Sequence, residues 1–146
     1  MSTLSQETRK SYMGVLARAH PQRLRALMPN LPPHEWLRRP EIGTTMVQGR
    51  IGATGAPFNL GEMTVTRCAL KLADGTVGHA YVQGRDQDHA LRAAVVDALM
   101  QTPSVDEIEV RVLAPLRAEE AEKKAARAEK AAATKVEFFT MVRGED

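Results

Sequence analysis

One cysteine, Cys68, stands in a chain of 146 residues, so an internal disulfide and a multi-thiolate metal site are both excluded. Aromatic residues make up 4% of the chain, too little ring surface for stacking bases, and nucleic acid is not an expected partner. Apolar runs stay far below the ~20 residues that cross a bilayer, so no membrane segment is expected. The opening MSTLSQETRKSYMGVL lacks the basic-then-apolar order of a secretory signal. No Gly-Lys-Ser/Thr follows the Gly-rich stretch 52–61, which does not match a P-loop and leaves a flexible strand connection or a backbone approached closely by a phosphate or a partner. No HExxH and no GxSxG occurs either. His20, His34, His79 and His89 lie in unrelated contexts, so no metal site is expected. These absences leave a cytoplasmic chain forming one domain over residues 1–146, with no autonomous chemistry in view.

What is present begins with charge. The net charge is +2, but residues 1–50 carry eight Lys/Arg against three Asp/Glu, while residues 51–146 carry twelve against fifteen. In SQETRKSYMGVLARA, Tyr12, Val15, Leu16 and Ala19 recur at helical spacing behind Ser5 as N-cap. His20-Pro21 breaks that helix, and Pro21 opens a second one carrying Leu24, Leu27 and Met28. PNLPP is a stiff connector. EWLRRPEIG and TTMVQGRIG read as two strands meeting near Gly43.

The stretch EMTVTRCALKLADGTVGHAYVQG reads as a hairpin over 64–83. Asp74-Gly75 suits a two-residue turn with φ > 0 at both positions. That turn pairs Leu72 with Val77, Leu70 with His79, Cys68 with Tyr81 and Thr66 with Gln83. Leu70, Leu72, Val77 and Tyr81 then share a face, with Arg67 on the other among Val65, Ala69, Ala80 and Val82. A helix follows over 86–101, buried through Leu91, Ala94, Val95, Ala98 and Leu99. DEIEVRVLAP alternates Ile108, Val110 and Val112 with charged residues and reads as a half-buried strand. Pro115 opens a charged helix over 115–132, in which Ala114, Ala118, Ala121, Ala125, Ala128 and Ala132 form a narrow seam. Either that seam packs against another chain or the helix projects into solvent. KVEFFTMVRGED reads as a closing strand. The fold class is therefore α+β: a mainly antiparallel sheet around the 64–83 hairpin, with flanking helices.

The corner VQGRDQDHA sets Gln83, Arg85, Asp86, Gln87, Asp88 and His89 between a strand and a helix. Asp86 and Asp88 suit a helix start, where acidic side chains satisfy free N–H groups and favour the dipole. The same N–H groups can bind an anion, and Arg85 offers a fork for carboxylate or phosphate. A capped structural corner and an anion-facing one both fit these residues.

TRCALKLADGTVGHAYVQGRDQDHA followed by DALMQ, the earlier GRIGATG and the terminal FFTMVRG resemble the PhnG family. This is the small G subunit of the bacterial carbon–phosphorus lyase core complex. The likeness runs from YMGVLA to TMVRG and departs mostly in residues 21–42 and in the Ala/Glu/Lys helix. It implies phosphonate use, in which adenine is displaced from MgATP by methylphosphonate to give ribose 1-methylphosphonate 5-triphosphate. It also implies a subunit of a transferase complex, inactive alone. The implied partners are a nucleosidase-like I subunit, the H and J subunits in a two-fold symmetric assembly, and an ATP-binding-cassette-type L protein. No cofactor is expected on this chain by itself, MgATP being substrate of the complex. The resemblance carries over no catalytic residues. Arg67, Gln83, Arg85, Asp86, His89 and Arg143 are the candidates for meeting an anion or a partner. The alternative is a scaffold that steadies the I subunit and lends no group to the reaction.

Overall fold

A computed structural model describes the backbone of residues 5–50 and 57–143 and the side chains of residues 5–47 and 61–138. The order is α1 (Gln6–Arg18), α2 (Pro21–Leu27), β1 (His34–Arg50), β2 (Pro57–Leu72), β3 (Val77–Gln83), α3 (Gln87–Leu99), α4 (Val105–Ile108), a π turn (Glu109–Leu113) and α5 (Ala114–Arg143). The strands form an antiparallel sheet in the order β1-β2-β3. The α+β class and the central hairpin stand.

Local signals place the first helices as expected. The Ser5 hydroxyl accepts from the Thr8 backbone N–H at 3.1 Å and caps α1, while Pro21 sits in the first turn of α2. Tyr12, Leu16 and Leu24 pack with Leu70, Val82 and Val95 in the core. Helix α3 is enclosed almost all round, by the sheet on one side and by α1 and α2 on the other. Its alanines make that possible. Gly78 on β3 lies so close to α3 that a Cβ there would sit 2.8 Å from the Ala98 Cβ and closer still to the Ala94 carbonyl oxygen.

The turn of the hairpin differs from the two-residue reading. Only Gly75 has positive φ, +91°, and Asp74 does not share it. The loop is instead three residues long, closed by Leu72 N–H to the Thr76 carbonyl and Gly75 N–H to the Leu72 carbonyl, each 2.9 Å. The Asp74 carboxylate accepts from the Thr76 N–H at 2.9 Å and holds the extra residue in place. The register moves by one: Leu70 pairs with Gly78, Cys68 with Ala80, and Arg67 with Tyr81. A one-residue slip exchanges faces. Tyr81 thus stands outside beside Arg67, 47% exposed, and Val82 takes its place against the core.

Two expected strands merge into one, and two further strand readings give way to helix. EWLRRPEIG and TTMVQGR are one continuous strand, β1, with Gly43 inside it and register shifts near Trp36, Arg38 and Val47, while Ile51 and Gly52 lie outside the described residues. DEIEVRVLAP is helical: Ile108, Val112, Leu113 and Leu116 are buried, while Val110, which the alternation needed inside, is 71% exposed. KVEFFTMVR continues α5. Some twenty residues rich in Ala, Glu and Lys precede it, and extending a formed helix is far easier than starting one.

Cys68 illustrates the dry interior. Its thiol donates to the Ala90 carbonyl at 3.3 Å, and burial pushes its pKa from 9.0 up to about 11. A raised folded-state value means that this stability is complete below the ordinary value and is lost as pH rises through about 11. Alkylation by iodoacetamide at pH 8 should run at least ~100-fold slower in the native chain than in urea. Equal rates would mean that the site opens freely.

Candidate functional site

The corner at residues 83–89 is built from hydrogen bonds. Gly84, at φ +93°, turns the chain out of β3; its N–H reaches the Thr64 carbonyl at 2.8 Å, and its carbonyl accepts from the Thr66 hydroxyl at 2.8 Å. Asp86 is the N-cap of α3 and accepts from the His89 N–H at 3.0 Å. Asp88 accepts from Arg25 at 3.1 Å and Arg92 at 3.0 Å, and Arg92 also donates to the Met28 carbonyl, so α2 is tied to α3. Burial raises the Asp88 pKa, but these two arginines outweigh it and hold the carboxyl below its ordinary value.

His89 points inward. It is 1% exposed, and its Nε2 lies 2.7 Å from the Leu16 carbonyl, which requires the proton on that nitrogen. Nδ1 has no partner among the described residues. By contrast, Arg85 is exposed and makes no hydrogen bond or ion pair with any described residue. Arg67 lies on the outer face of the sheet, 3.6 Å from Glu41. Gln83, also exposed, borders a cleft under α5. Arg143 is the last residue of α5, and its side chain lies outside the described residues. The six candidates therefore occupy distinct surroundings: cap, core, free corner, outer face, cleft rim and helix end.

Two clefts flank the root of α5. One, of about 620 Å³, runs between α1 and α5 over Gly14, Val15 and Ala121, with Lys10, Arg18, Arg117 and Lys124 facing Glu7 and Glu120. The other, of about 540 Å³, includes His20, Gln83, Leu116, Lys123 and Arg127. Arg18 divides them and donates to Glu120 at 2.9 Å. Both are of ligand size, with apolar floors and charged rims. In the second, the His20 Nδ1 is taken by the Gln22 N–H at 3.2 Å, so that ring nitrogen is not free to act as a base. Among the described residues no group of three or more His, Cys, Asp or Glu could hold a metal. No helix among them is long and apolar enough to cross a membrane.

The most elaborate polar cluster was not singled out from the sequence. Asp97, fully buried, accepts from Arg9 Nε at 3.1 Å and Nη2 at 2.8 Å, from the Tyr12 hydroxyl at 2.5 Å and from the His79 backbone N–H at 2.8 Å. Burial first, then the bond to Asp97, raise the Tyr12 pKa well above its ordinary value. The bond to Asp97 raises that of Arg9. With four donors on its two oxygens, the carboxylate has no capacity left for a substrate. The signal was there: a lone Asp inside AAVVDALM, the apolar second half of α3.

Beyond this body, the chain extends two arms. Side chains from Ala121 to Phe138 on α5 are exposed, the alanine seam with them, and β1 carries exposed Leu37, Ile42 and Met46. The sequence of residues 7–144 matches the family described as phosphonate metabolism protein PhnG. A curated relative from Rhizobium meliloti (strain 1021), named alpha-D-ribose 1-methylphosphonate 5-triphosphate synthase subunit PhnG, is 49% identical over 114 residues. The alignment covers 75% of this chain and 70% of that protein. With nearly its whole length inside that match, the chain belongs to the PhnG family of phosphonate metabolism proteins.

Proposed function

We propose that this chain is a non-autonomous subunit of the assembly that displaces adenine from MgATP with methylphosphonate, giving ribose 1-methylphosphonate 5-triphosphate. The single observation that carries the reading is the contrast between body and arms. Within the body, Asp97, Asp88, Asp86 and His89 are committed to holding the fold, while the helical arm from Ala121 to Phe138 is exposed. A chain so arranged acts by joining others. The relative named as a synthase subunit supplies the reaction. The partners of this reading are the nucleosidase-like I subunit, with H, J and the L protein.

The reaction requires phosphonate, not water, to reach an oxocarbenium-like ribose carbon flanked by polyanions. A neighbouring subunit contributes by closing the site to water and by placing cations or N–H groups at its edge. Arg85, which makes no hydrogen bond or ion pair with a described residue, suits that role. The second reading, a pure scaffold, is supported by the structural duties of Asp86 and His89.

One reconstitution separates them. The chain alone should release no adenine from MgATP, and release without partners would end the subunit reading. With the partner subunits, MgATP and methylphosphonate, Arg85→Ala should leave assembly intact, because an exposed side chain changes stability by about 0.5 kcal/mol or less. The ratio of ribose phosphonate product to free ribose triphosphate should then fall. An unchanged ratio in a full complex favours the scaffold.

A further inference from the structure

The two edges of the sheet are treated differently. Along β3, α1 packs against the strand, and Met13 and Leu16 lie beside His79, Ala80, Tyr81 and Val82. No described strand pairs with the far edge of β1, although β1 runs for 17 residues. Natural proteins blunt such an edge with charge, proline and bulges. The root of β1 has all three: Arg38 and Arg39, Pro40, and the register shifts around Arg38. The segment from Ile42 to Val47 has none. It is regular, uncharged and β-prone, and its Ile42 and Met46 are 45% and 49% exposed. A Cβ built on Gly43 would meet nothing within 4 Å.

Which backbone groups face outward follows from the ladder. Gly84 N–H bonds the Thr64 carbonyl, so even-numbered residues of β2 point their hydrogen-bonding groups toward β3 and odd-numbered ones toward β1. Over Glu41–Val47 the β1 partners of those odd residues are Glu41, Gly43, Thr45 and Val47. Ile42, Thr44 and Met46 therefore direct their N–H and C=O groups to the open edge.

We propose that this edge receives a β-strand from a partner subunit, which extends the sheet beside Ile42, Thr44 and Met46. The proposal rests on the subunit reading above and deepens it. Strand addition takes its affinity from main-chain hydrogen bonds and its choice of partner from flanking side chains. Apolar residues at alternate positions of the incoming strand would meet Ile42 and Met46. An acidic residue at its end would meet Arg38 and Arg39, neither of which is ion-paired among the described residues. A second copy of this chain is the poorer occupant. Antiparallel self-pairing centred on Thr44 would carry the Arg38–Arg39 pair of each copy toward residue 50 of the other, another arginine, and like charges opposite one another are destabilising.

Thr44→Pro tests this, because proline is tolerated where the N–H faces away from the sheet and removes one donor from the open edge. Thr44→Val keeps the donor and is the control. Both variants should match the wild-type melting temperature and far-ultraviolet spectrum. Binding to the purified I subunit, by calorimetry, should weaken at least about ten-fold for Thr44→Pro and less than about three-fold for Thr44→Val. Independently of any variant, hydrogen exchange at the amides of Ile42, Thr44 and Met46 should be fast in the free wild-type chain and slow in the complex. A wild-type complex in which Thr44→Pro binds normally, or in which those amides stay unprotected, overturns strand addition and leaves the subunit reading standing. Failure of the wild-type chain to bind the I subunit overturns both. Concentration-dependent dimers of the chain alone that protect the same amides would give the edge to a second copy, contrary to the proposal.

Discussion

Replacing Asp97 with alanine should cost the fold about 3–5 kcal/mol, a large part of the roughly 5–15 kcal/mol that holds a domain together. The cost arises from what is left behind. Arg9 keeps about a third of its side chain in solvent and can turn outward. The Tyr12 hydroxyl and the His79 N–H cannot, and each loses its acceptor in the interior. Removing one partner of a buried polar cluster is costlier than never having built it. Tyr12→Phe should cost only about 1–2 kcal/mol, since Asp97 keeps three donors. Urea titration gives the ranking, read as a fall in midpoint at unchanged slope. Similar costs for Asp97→Ala and Tyr12→Phe would mean that the carboxylate is not the hub.

Gly78→Ala should be comparably severe, at about 3 kcal/mol, the upper end of what one extra carbon in a packed interior costs. The added carbon meets backbone, the Ala94 carbonyl and the Ala98 N–H, and not the tip of a side chain that could swing away. Relief requires α3 to lift from β3, which would also strain the bond from the Gln101 amide at the end of α3 to the Val77 carbonyl on β3, 2.9 Å long. Gly43→Ala is the matched control. That position is a strand interior with open space around it, so the change should be neutral or add up to about 1 kcal/mol. A thermal melt in which both variants behave alike would refute the close contact between strand and helix.

The parts of the fold legible in the sequence were those in which one local rule had no rival. Ser5 and Pro21 begin helices, Asp86 caps another, and the alternation of 64–83 gives two strands. The register escaped because Asp-Gly suits two loops, and the Asp74 side chain bonding to Thr76 favours the longer one. Residues 107–112 alternate as a strand does, but no strand among the described residues pairs with them, and the helix-forming run that follows reaches back over them. Of the candidate site, the sequence marked the corner and could not say which side chains turn inward. His89 and Arg85 looked alike in the sequence; the structure seals one into the core and leaves the other in solvent. Asp97 was hidden by its apolar neighbours, since a buried charge is recognised only when its partners, here Arg9 and Tyr12 more than eighty residues away, are in view.

The π turn at Glu109–Leu113 sets the clocking of the arm that follows it. Such a turn amounts to one residue inserted into a continuous helix, and each residue advances a helix by about 100°. Ile108 and Leu116 are both anchored in the body, so the extra residue is absorbed between them, and everything beyond Leu116 inherits the phase it leaves. Which compass direction the alanine seam faces, and so which side of the arm another chain would approach, is decided by that one surplus residue. A lineage that lost it would keep every alanine and aim them all a quarter-turn or more away.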